Sequence, residues 1–187
     1  MASTLLFVPG LRDHVADHWQ TLLAAQVPGA RTVPPATENG LSCALRVGRL
    51  DKALAEIEGP VILVAHSAGA LMVVHWARQI SRPIKGALLA TPADIETPLP
   101  PGYPTHTDLE ANGWLPMPRE PLPFPCIVAA SRNDPLARAE RITELARGWG
   151  ARLVDAGEVG HLNPVAGFGP WPQALELIRD LETLADG

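Results

Sequence analysis

Residues 61–70 read Val-Ile-Leu-Val-Ala-His-Ser-Ala-Gly-Ala, and this stretch decides the fold. Its nearly continuous apolar start, over 61–65, predicts a strand that helices cover on both sheet faces. A helical pattern over 68–79 follows at once, which leaves Ser67 in the turn between strand and helix. A serine in a tight strand-to-helix turn is typical of a nucleophile elbow, in which the hydroxyl stands above the sheet. The stretch therefore predicts an α/β sheet with a reactive serine at its edge.

The neighbours of Ser67 suit such a turn. Positions two residues away on either side must be small for strand and helix to approach, and Gly69 meets this need. Ala65 stands where glycine is more usual, so its methyl group is a mild departure from the pattern. The N–H of Ala68, at the positive end of the helix dipole, is predicted to donate to an oxyanion beside Ser67. The alternative is an ordinary serine N-cap.

Short apolar runs alternate with helical patterns along the rest of the chain. The predicted strands cover 5–8, 31–33, 61–65, 84–90, 126–130 and 152–154. The predicted helices cover 14–25, 45–57, 68–79, 136–149 and 171–184. This alternation predicts a compact α/β core of about six mainly parallel strands, with right-handed crossovers and helices on both faces. The whole chain, 1–187, is expected to form a single domain.

The stretch 92–125 breaks the alternation, because it holds half of the chain's 20 prolines. Proline fixes φ and lacks an N–H, so the stretch predicts an extended, semi-rigid insertion without helix or strand. We expect it to fold over the sheet edge beside Ser67 and to supply Trp114 and Tyr103 to a substrate pocket. The alternatives are a flexible linker and a surface excursion whose aromatic side chains pack on the core.

Two further residues follow predicted strands at the same sheet edge. Asp134 lies in the loop after the fifth predicted strand, and His161 lies in the loop after the sixth. A serine hydroxyl needs a base to remove its proton, and the base needs a carboxylate to orient it. The chain order Ser, Asp, His is the order of this architecture, so Ser67, Asp134 and His161 are predicted to form a catalytic triad. Asp94, after the fourth strand, is the alternative acid.

A second oxyanion donor is expected at the end of the first strand. In a flavodoxin-like strand order the first and third strands are neighbours, and their connections leave in opposite directions. The loop after Val8 then faces Ser67 across a crevice. The N–H of Leu11 is the predicted donor, with that of Gly10 as the second choice, and a plain turn at 9–10 is the simplest alternative.

Composition and charge exclude several classes of function. The net charge is −5 and no run of Lys or Arg occurs, so nucleic-acid phosphates find no clustered positive charge to bind. The six histidines lack metal-ligand spacing and no glycine-rich nucleotide motif occurs, so neither a metal nor a cofactor is expected. Cys43 and Cys126 are predicted to be buried free thiols.

The N-terminal stretch and the hydropathy pattern predict a cytoplasmic protein. No basic segment precedes the first apolar run, and that run ends at Pro9, too early for a signal peptide. No apolar stretch approaches the roughly 20 residues that a membrane span requires.

These residues together resemble a bacterial member of the retinoblastoma-binding-protein-9-type serine hydrolases, a branch of the α/β-hydrolase superfamily that includes YdeN-like proteins. The resemblance spans nearly the whole chain and rests on Pro9-Gly10 with Asp17-His18-Trp19, and on 65–69, 131–135, 160–163 and 167–172. It implies a compact α/β-hydrolase-like core without the first antiparallel strands of larger relatives. It also implies esterase- or peptidase-type activity on small acyl substrates, with Ser67, Asp134 and His161 as the triad.

The chain departs from this family in two places. Residues 37–47 lack the acidic-Trp signature expected of bacterial relatives. The Leu-x-Cys-x-Glu motif associated with retinoblastoma-protein binding is absent, because residues 41–45 end in leucine, so binding to that protein is not expected. A non-catalytic binding module on a hydrolase scaffold is the competing function, since one fold hosts many functions.

Overall fold

The computed structural model describes residues 3–36 and 38–184; Met1, Ala2 and Thr37, on which parts of the sequence predictions rest, lie outside the described residues. A six-stranded, fully parallel sheet runs in the order β2-β1-β3-β4-β5-β6. Its strands are β1 (Thr4–Val8), β2 (Arg31–Thr32), β3 (Val61–His66), β4 (Gly86–Ala90), β5 (Cys126–Ala130) and β6 (Arg152–Asp155). The predicted parallel sheet and the flavodoxin-like neighbourhood of the first and third strands are confirmed.

Helices connect the strands. They are α1 (Trp19–Gln26), α2 (Cys43–Ala55), α3 (Ala68–Trp76), α4 (His106–Ala111), α5 (Ala139–Gly148) and α6 (Gln173–Leu184). Two short 3₁₀ turns cover Ala77–Gln79 and Pro164–Ala166. Within the described residues, none of the helices is long and apolar enough to cross a membrane.

Two apolar layers enclose the sheet, one on each face. The side chains of β3 alternate between them, as strand geometry requires: Leu63 belongs to one layer, and Ile62 and Val64 belong to the other. Helices α2, α3 and α5 supply the first layer, and α1 and α6 supply the second. The prediction of helices on both faces is confirmed.

This layering opens a crevice above the carboxyl ends of β1 and β3. The two strands are neighbours in the sheet, but the helix after β1 packs on one face and the helix after β3 packs on the other. Chain segments that leave neighbouring parallel strands in opposite directions create the crevice in which such sheets bind ligands.

Helices α1 and α5 begin three or more residues later than the sequence pattern indicates. Helix α1 begins only after His18, whose Nδ1 accepts the Gln20 N–H at 3.2 Å and caps the helix. Helix α5 begins after a turn in which Asp134 Oδ1 accepts the Leu136 N–H at 2.8 Å. In both cases a side chain accepts a backbone N–H at the start of the helix or just before it. The residues before each helix keep the apolar spacing of the sequence pattern, although they are not helical.

The prediction that 92–125 contains no helix is wrong for α4. Thr105 Oγ1 accepts the Asp108 N–H at 3.1 Å, and the Asp108 carboxylate accepts the Thr105 N–H at 2.9 Å. This reciprocal capping box stabilises a short helix in a gap between prolines. The prediction from the number of prolines therefore overlooked the capping-box residues Thr105 and Asp108, which indicate the start of a helix.

The cysteines match their prediction. Cys43 and Cys126 are both buried and free. Burial raises the pKa of the Cys43 thiol to about 11, because the interior disfavours the charged thiolate. Both side chains therefore act as small apolar groups of the core.

The start of α3 crosses the end of β1 at very short range. A Cβ atom on Gly69 would lie 2.1 Å from the Val8 carbonyl oxygen and 2.6 Å from that of Pro9. Only glycine leaves room for these backbone atoms, whereas the Ala65 methyl on the strand side is fully buried in the core without such a conflict. The usual glycine is therefore required after Ser67 but not before it.

We expect Gly69→Ala to lower the free energy of unfolding by about 3 kcal/mol or more, because the new methyl must displace backbone rather than a flexible side chain. Urea titrations followed by circular dichroism measure the change.

The matched control is Gly48→Ala in α2, where an added Cβ meets nothing within 4 Å. There the higher helix propensity of alanine should stabilise the protein by roughly 0.5–1 kcal/mol. Equal effects of the two substitutions would contradict the close crossing.

Candidate active site

Ser67 adopts the strained backbone conformation that a strand-to-helix elbow requires. Its φ is 56° and its ψ is −124°, a region that non-glycine residues rarely occupy. The side chain makes no capping hydrogen bond to α3. Instead, Ser67 Oγ lies 2.8 Å from Nε2 of His161. The alternative that Ser67 serves only as an N-cap is therefore wrong.

His161 joins Ser67 to Asp134. Its Nδ1 lies 2.8 Å from Oδ2 and 3.0 Å from Oδ1 of Asp134, and both side chains are almost fully buried. An ionised carboxylate only accepts hydrogen bonds, so the proton of a neutral His161 resides on Nδ1. Nε2 is then left as an acceptor facing the Ser67 hydroxyl.

Asp94, the alternative acid, is engaged elsewhere. It is buried, and its carboxylate accepts hydrogen bonds from Thr97 Oγ1 at 3.1 Å and from Arg141 Nε at 3.2 Å. This ion pair holds the start of the 92–125 stretch against α5. The structure therefore brings Asp134, and not Asp94, to His161.

Asn133 ties the loops of the acid and the base together, a role that the sequence analysis missed. Its Oδ1 accepts the Gly160 N–H at 2.7 Å and the Ser131 hydroxyl at 3.0 Å. Gly160 precedes His161 directly, so the Asn133 amide fixes one loop relative to the other. Its place immediately before Asp134 is the only sequence signal for this contact.

His66 supports the backbone of His161, and the sequence analysis also missed this contact. Its Nε2 lies 2.8 Å from the His161 carbonyl oxygen, which can only accept, so His66 donates. Burial lowers the pKa of His66 well below its usual value, and the same effect lowers the pKa of His18 to about 4. The two rings lie 4.5 Å apart. Both are therefore neutral at pH 7 and add no positive charge beside His161.

The loop after β1 packs directly on Ser67. A Cβ on Gly10 would lie 3.3 Å from Ser67 Cβ and 3.6 Å from its Oγ. Leu11 and Ala68 both line the cavity that Ser67 faces. Among the described residues, the N–H groups of Gly10, Leu11 and Ala68 donate no backbone hydrogen bond in the turns and loops. The N–H groups predicted to bind an oxyanion thus belong to residues that pack on Ser67 or line its cavity.

A cavity of about 360 Å³ lies beside Ser67 and His161. This volume lies within the range of small-molecule pockets, roughly 300–1,000 Å³. The 92–125 stretch contributes a largely apolar wall of Ala93, Ile95, Leu99, Tyr103, Pro104, Leu109 and Trp114. The loop after His161 contributes Asn163, Pro164 and Val165 on another side.

Trp114 belongs to the core as well as to the cavity wall. It is only 1% exposed, and its Nε1–H donates to the Leu41 carbonyl at 2.6 Å. Its own carbonyl lies 3.1 Å from His75 Nε2. The side chain therefore lines the cavity and packs in the core at once, and its contact with a substrate stays a prediction. Tyr103 also lines the cavity and is only partly buried.

Comparisons with known proteins identify a family and a fold to which the chain is similar. A family model described as serine hydrolase matches residues 5–180. A YdeN-like hydrolase from Pectobacterium atrosepticum is 30% identical and superposes with a TM-score of 0.81, over 97% of this chain and 91% of that one. No curated protein matches the sequence significantly.

Two more distant solved structures share the fold. The ydeN gene product of B. subtilis is 16% identical, with a TM-score of 0.71 over 97% of this chain and all 100% of that one. Est1E from Butyrivibrio proteoclasticus, solved with ferulic acid bound, is 10% identical, with a TM-score of 0.71 over 97% and 90% of the two chains. At these identities the likeness concerns the fold alone.

Proposed function

The chain belongs to the serine hydrolase family, and from this premise we propose that it cleaves small ester or amide substrates through an acyl-enzyme intermediate on Ser67. Its fold is that of the YdeN-like hydrolases of the α/β-hydrolase superfamily, as the sequence resemblance predicts. The observation that carries the proposal is the unbroken hydrogen-bond path from Ser67 through His161 to Asp134, with a contact of 2.8 Å at each step.

Acylation begins when the Ser67 hydroxyl attacks the substrate carbonyl carbon. Oγ forms a bond to that carbon while its proton passes to Nε2 of His161, and the carbonyl oxygen becomes an oxyanion. Asp134 stays ionised and stabilises the imidazolium through the Nδ1 contact. When the tetrahedral intermediate collapses, the bond to the leaving group breaks and His161 returns the proton to that group.

Deacylation repeats these steps with water as the nucleophile. His161 accepts a proton from the water as it attacks the acyl carbon, and then returns a proton to Ser67 Oγ as the acid product leaves. The N–H groups of Ala68 and Leu11 are proposed to stabilise the oxyanion in both steps, because fixed donors gain strength in a dry site. Because the His66 and His18 rings are neutral, they do not repel the positive charge that forms on His161.

The strain at Ser67 supports catalysis over the non-catalytic binding module. A non-glycine residue in such a backbone conformation costs of the order of 1–3 kcal/mol. The same elbow that imposes the strain also presents Oγ to His161 and brings Ala68 to the cavity wall. A module that only binds ligands gains nothing from this combination.

The apolar wall supports a substrate with an uncharged acyl group. Leu71 and Leu136 join the side chains of the 92–125 stretch in lining the cavity. An apolar group that enters this wall loses contact with water, whereas a charged group would lose its hydration without an ionic partner. We therefore assign the acyl group to this wall and the leaving group to the side of Val165.

We expect Asp134→Asn to lower kcat/KM for a p-nitrophenyl ester by about 10³-fold or more, because the asparagine amide no longer holds His161 in the productive tautomer. Steady-state kinetics measure the loss.

Asp94→Asn is the matched control, since it removes an equally buried carboxylate that contacts Arg141 rather than His161. It should affect stability more than turnover. If Asp94→Asn abolished activity and Asp134→Asn were nearly silent, the assignment of the acid would be wrong.

The acyl-group assignment predicts that Leu99→Trp lowers kcat/KM for octanoyl esters at least tenfold relative to acetyl esters, because the larger ring fills the apolar wall. A panel of p-nitrophenyl esters of increasing chain length measures this ratio. Leu99 is only partly buried, whereas removal of the fully buried Trp114 ring would cost roughly 3–5 kcal/mol and obscure the effect.

Val165→Trp is the control, because Val165 is 83% exposed and lies on the segment after His161. It should leave the acyl ranking unchanged. The same shift in ranking for both variants, or for neither, would contradict the assignment.

A further inference from the structure

Arg46 is a buried cation that the proposed acyl transfer does not use. It projects from α2 and is only 3% exposed. Its Nη2 donates to the Leu11 carbonyl at 3.1 Å, and its Nη1 lies 3.5 Å from the Gly10 carbonyl, at the long end of hydrogen-bond distance. Its Nε donates to the Gly40 carbonyl at 2.5 Å. Two of its three carbonyl partners thus belong to the loop that packs on Ser67.

Asp13 completes this arrangement. Its carboxylate oxygens accept from Arg46 Nη1 at 3.2 Å and from Nη2 at 3.4 Å. Its backbone N–H donates to the Gly10 carbonyl at 3.1 Å, and its carboxylate also accepts the Ala36 N–H at 3.3 Å. The Gly10 carbonyl oxygen therefore has two donors, one from the turn and one from Arg46.

Because the peptide group is planar, these carbonyl contacts determine the direction in which the Leu11 N–H points. The peptide between Gly10 and Leu11 is trans, so its C=O and N–H point to opposite sides. Because the Gly10 oxygen points toward Arg46 and the Asp13 N–H, the Leu11 N–H points away from both of them. Arg46 also holds the next carbonyl, that of Leu11, so the residue cannot rotate about its own backbone bonds without losing a contact.

The same reasoning decides between the two candidate donors in this loop. The Pro9 carbonyl oxygen lies against Gly69, where an added Cβ would be 2.6 Å away. The Gly10 N–H, on the opposite side of that peptide, therefore points away from the start of α3. Of the two N–H groups, that of Leu11 is the one that Arg46 fixes.

We propose that Arg46 is a positioning residue that orients the Leu11 N–H toward the oxyanion formed at Ser67. The inference rests on the proposed function, because it concerns the same tetrahedral intermediate. A planar guanidinium can donate to several acceptors at once in fixed directions, which no other side chain at this position could reproduce. A fixed donor stabilises the transition state without reorganisation, so Arg46 acts on turnover rather than on substrate binding.

Arg46→Met tests this role, and Arg82→Met is the matched control. Arg82 also donates its guanidinium to three carbonyls, those of Leu54, Ile57 and Gly59. These carbonyls lie before β3, at the opposite edge of the sheet from Ser67. Both substitutions remove a carbonyl-binding guanidinium, but only one of the two contacts the loop of Leu11.

The readouts are kcat and KM for a p-nitrophenyl ester, the melting temperature, and Ki for an alkyl trifluoromethyl ketone. The ketone forms a hemiketal when Ser67 Oγ adds to its carbonyl carbon and the serine proton passes to His161, which leaves an oxyanion in place of the carbonyl. Ki therefore reports oxyanion binding. KM stays nearly constant when acylation and deacylation, which both pass through this oxyanion, slow by the same factor.

For Arg46→Met we expect kcat to fall roughly 10- to 100-fold and Ki for the ketone to rise by a similar factor, with KM changed less than about threefold. Arg82→Met should change the melting temperature but neither kcat nor Ki. If Arg46→Met does not fold, Arg46→Lys replaces it, because one ammonium group cannot bind all the carbonyls that the guanidinium binds. For Arg46→Lys we expect smaller changes in the same direction: a lower kcat, a higher Ki and a nearly unchanged KM.

Unchanged kcat and Ki in the Arg46 variant, or equal losses in both variants, would overturn the positioning role while the proposed function stands. A wild-type chain that hydrolyses no ester and forms no hemiketal would instead overturn the proposed function, and this inference with it.

Discussion

The close crossing of α3 over the end of β1 is the constraint on which the rest of the site depends. With room for no side chain at Gly69, the helix begins against the Val8 and Pro9 carbonyls, and Ser67 must turn through a strained conformation to connect strand and helix. The serine hydroxyl is thereby presented to His161, and Ala68, the first helical residue, lines the cavity. The energy stored in this turn is offset by two well-packed apolar layers, one on each face of the sheet.

Around this elbow, buried polar contacts hold loops from distant parts of the chain. The Asn133 amide joins the loops of Asp134 and His161, and His66 holds the His161 backbone from below. Arg46 plays the corresponding part for the loop after β1. Each of these groups touches backbone rather than the serine itself, so the proposed chemistry depends on loop positions that the core sets. Buried donors and acceptors without partners are costly, which makes these arrangements specific.

Much of this could be predicted from sequence because the relevant signals are local. The continuous apolar run of β3 and the small residues around Ser67 predicted the elbow, and the rule that parallel strands end at one sheet edge predicted the meeting of Ser67 with Asp134 and His161. The contacts of Arg46 and His66 could not be predicted, since they join residues 35 and 95 positions apart through packing alone. Helix α4 was missed for another reason: the prolines around it outweighed a capping box of only four residues.

The central claim is that Ser67 forms a covalent bond to the substrate. Intact-protein mass spectrometry after treatment with a fluorophosphonate tests it most directly, because the reagent replaces its fluoride with the serine oxygen and leaves a stable adduct. The account predicts one added phosphonyl group per chain, located on Ser67 by peptide mapping, and none in a folded Ser67→Ala variant. An adduct that persists in the variant, or a wild-type chain that remains unmodified while correctly folded, would contradict it.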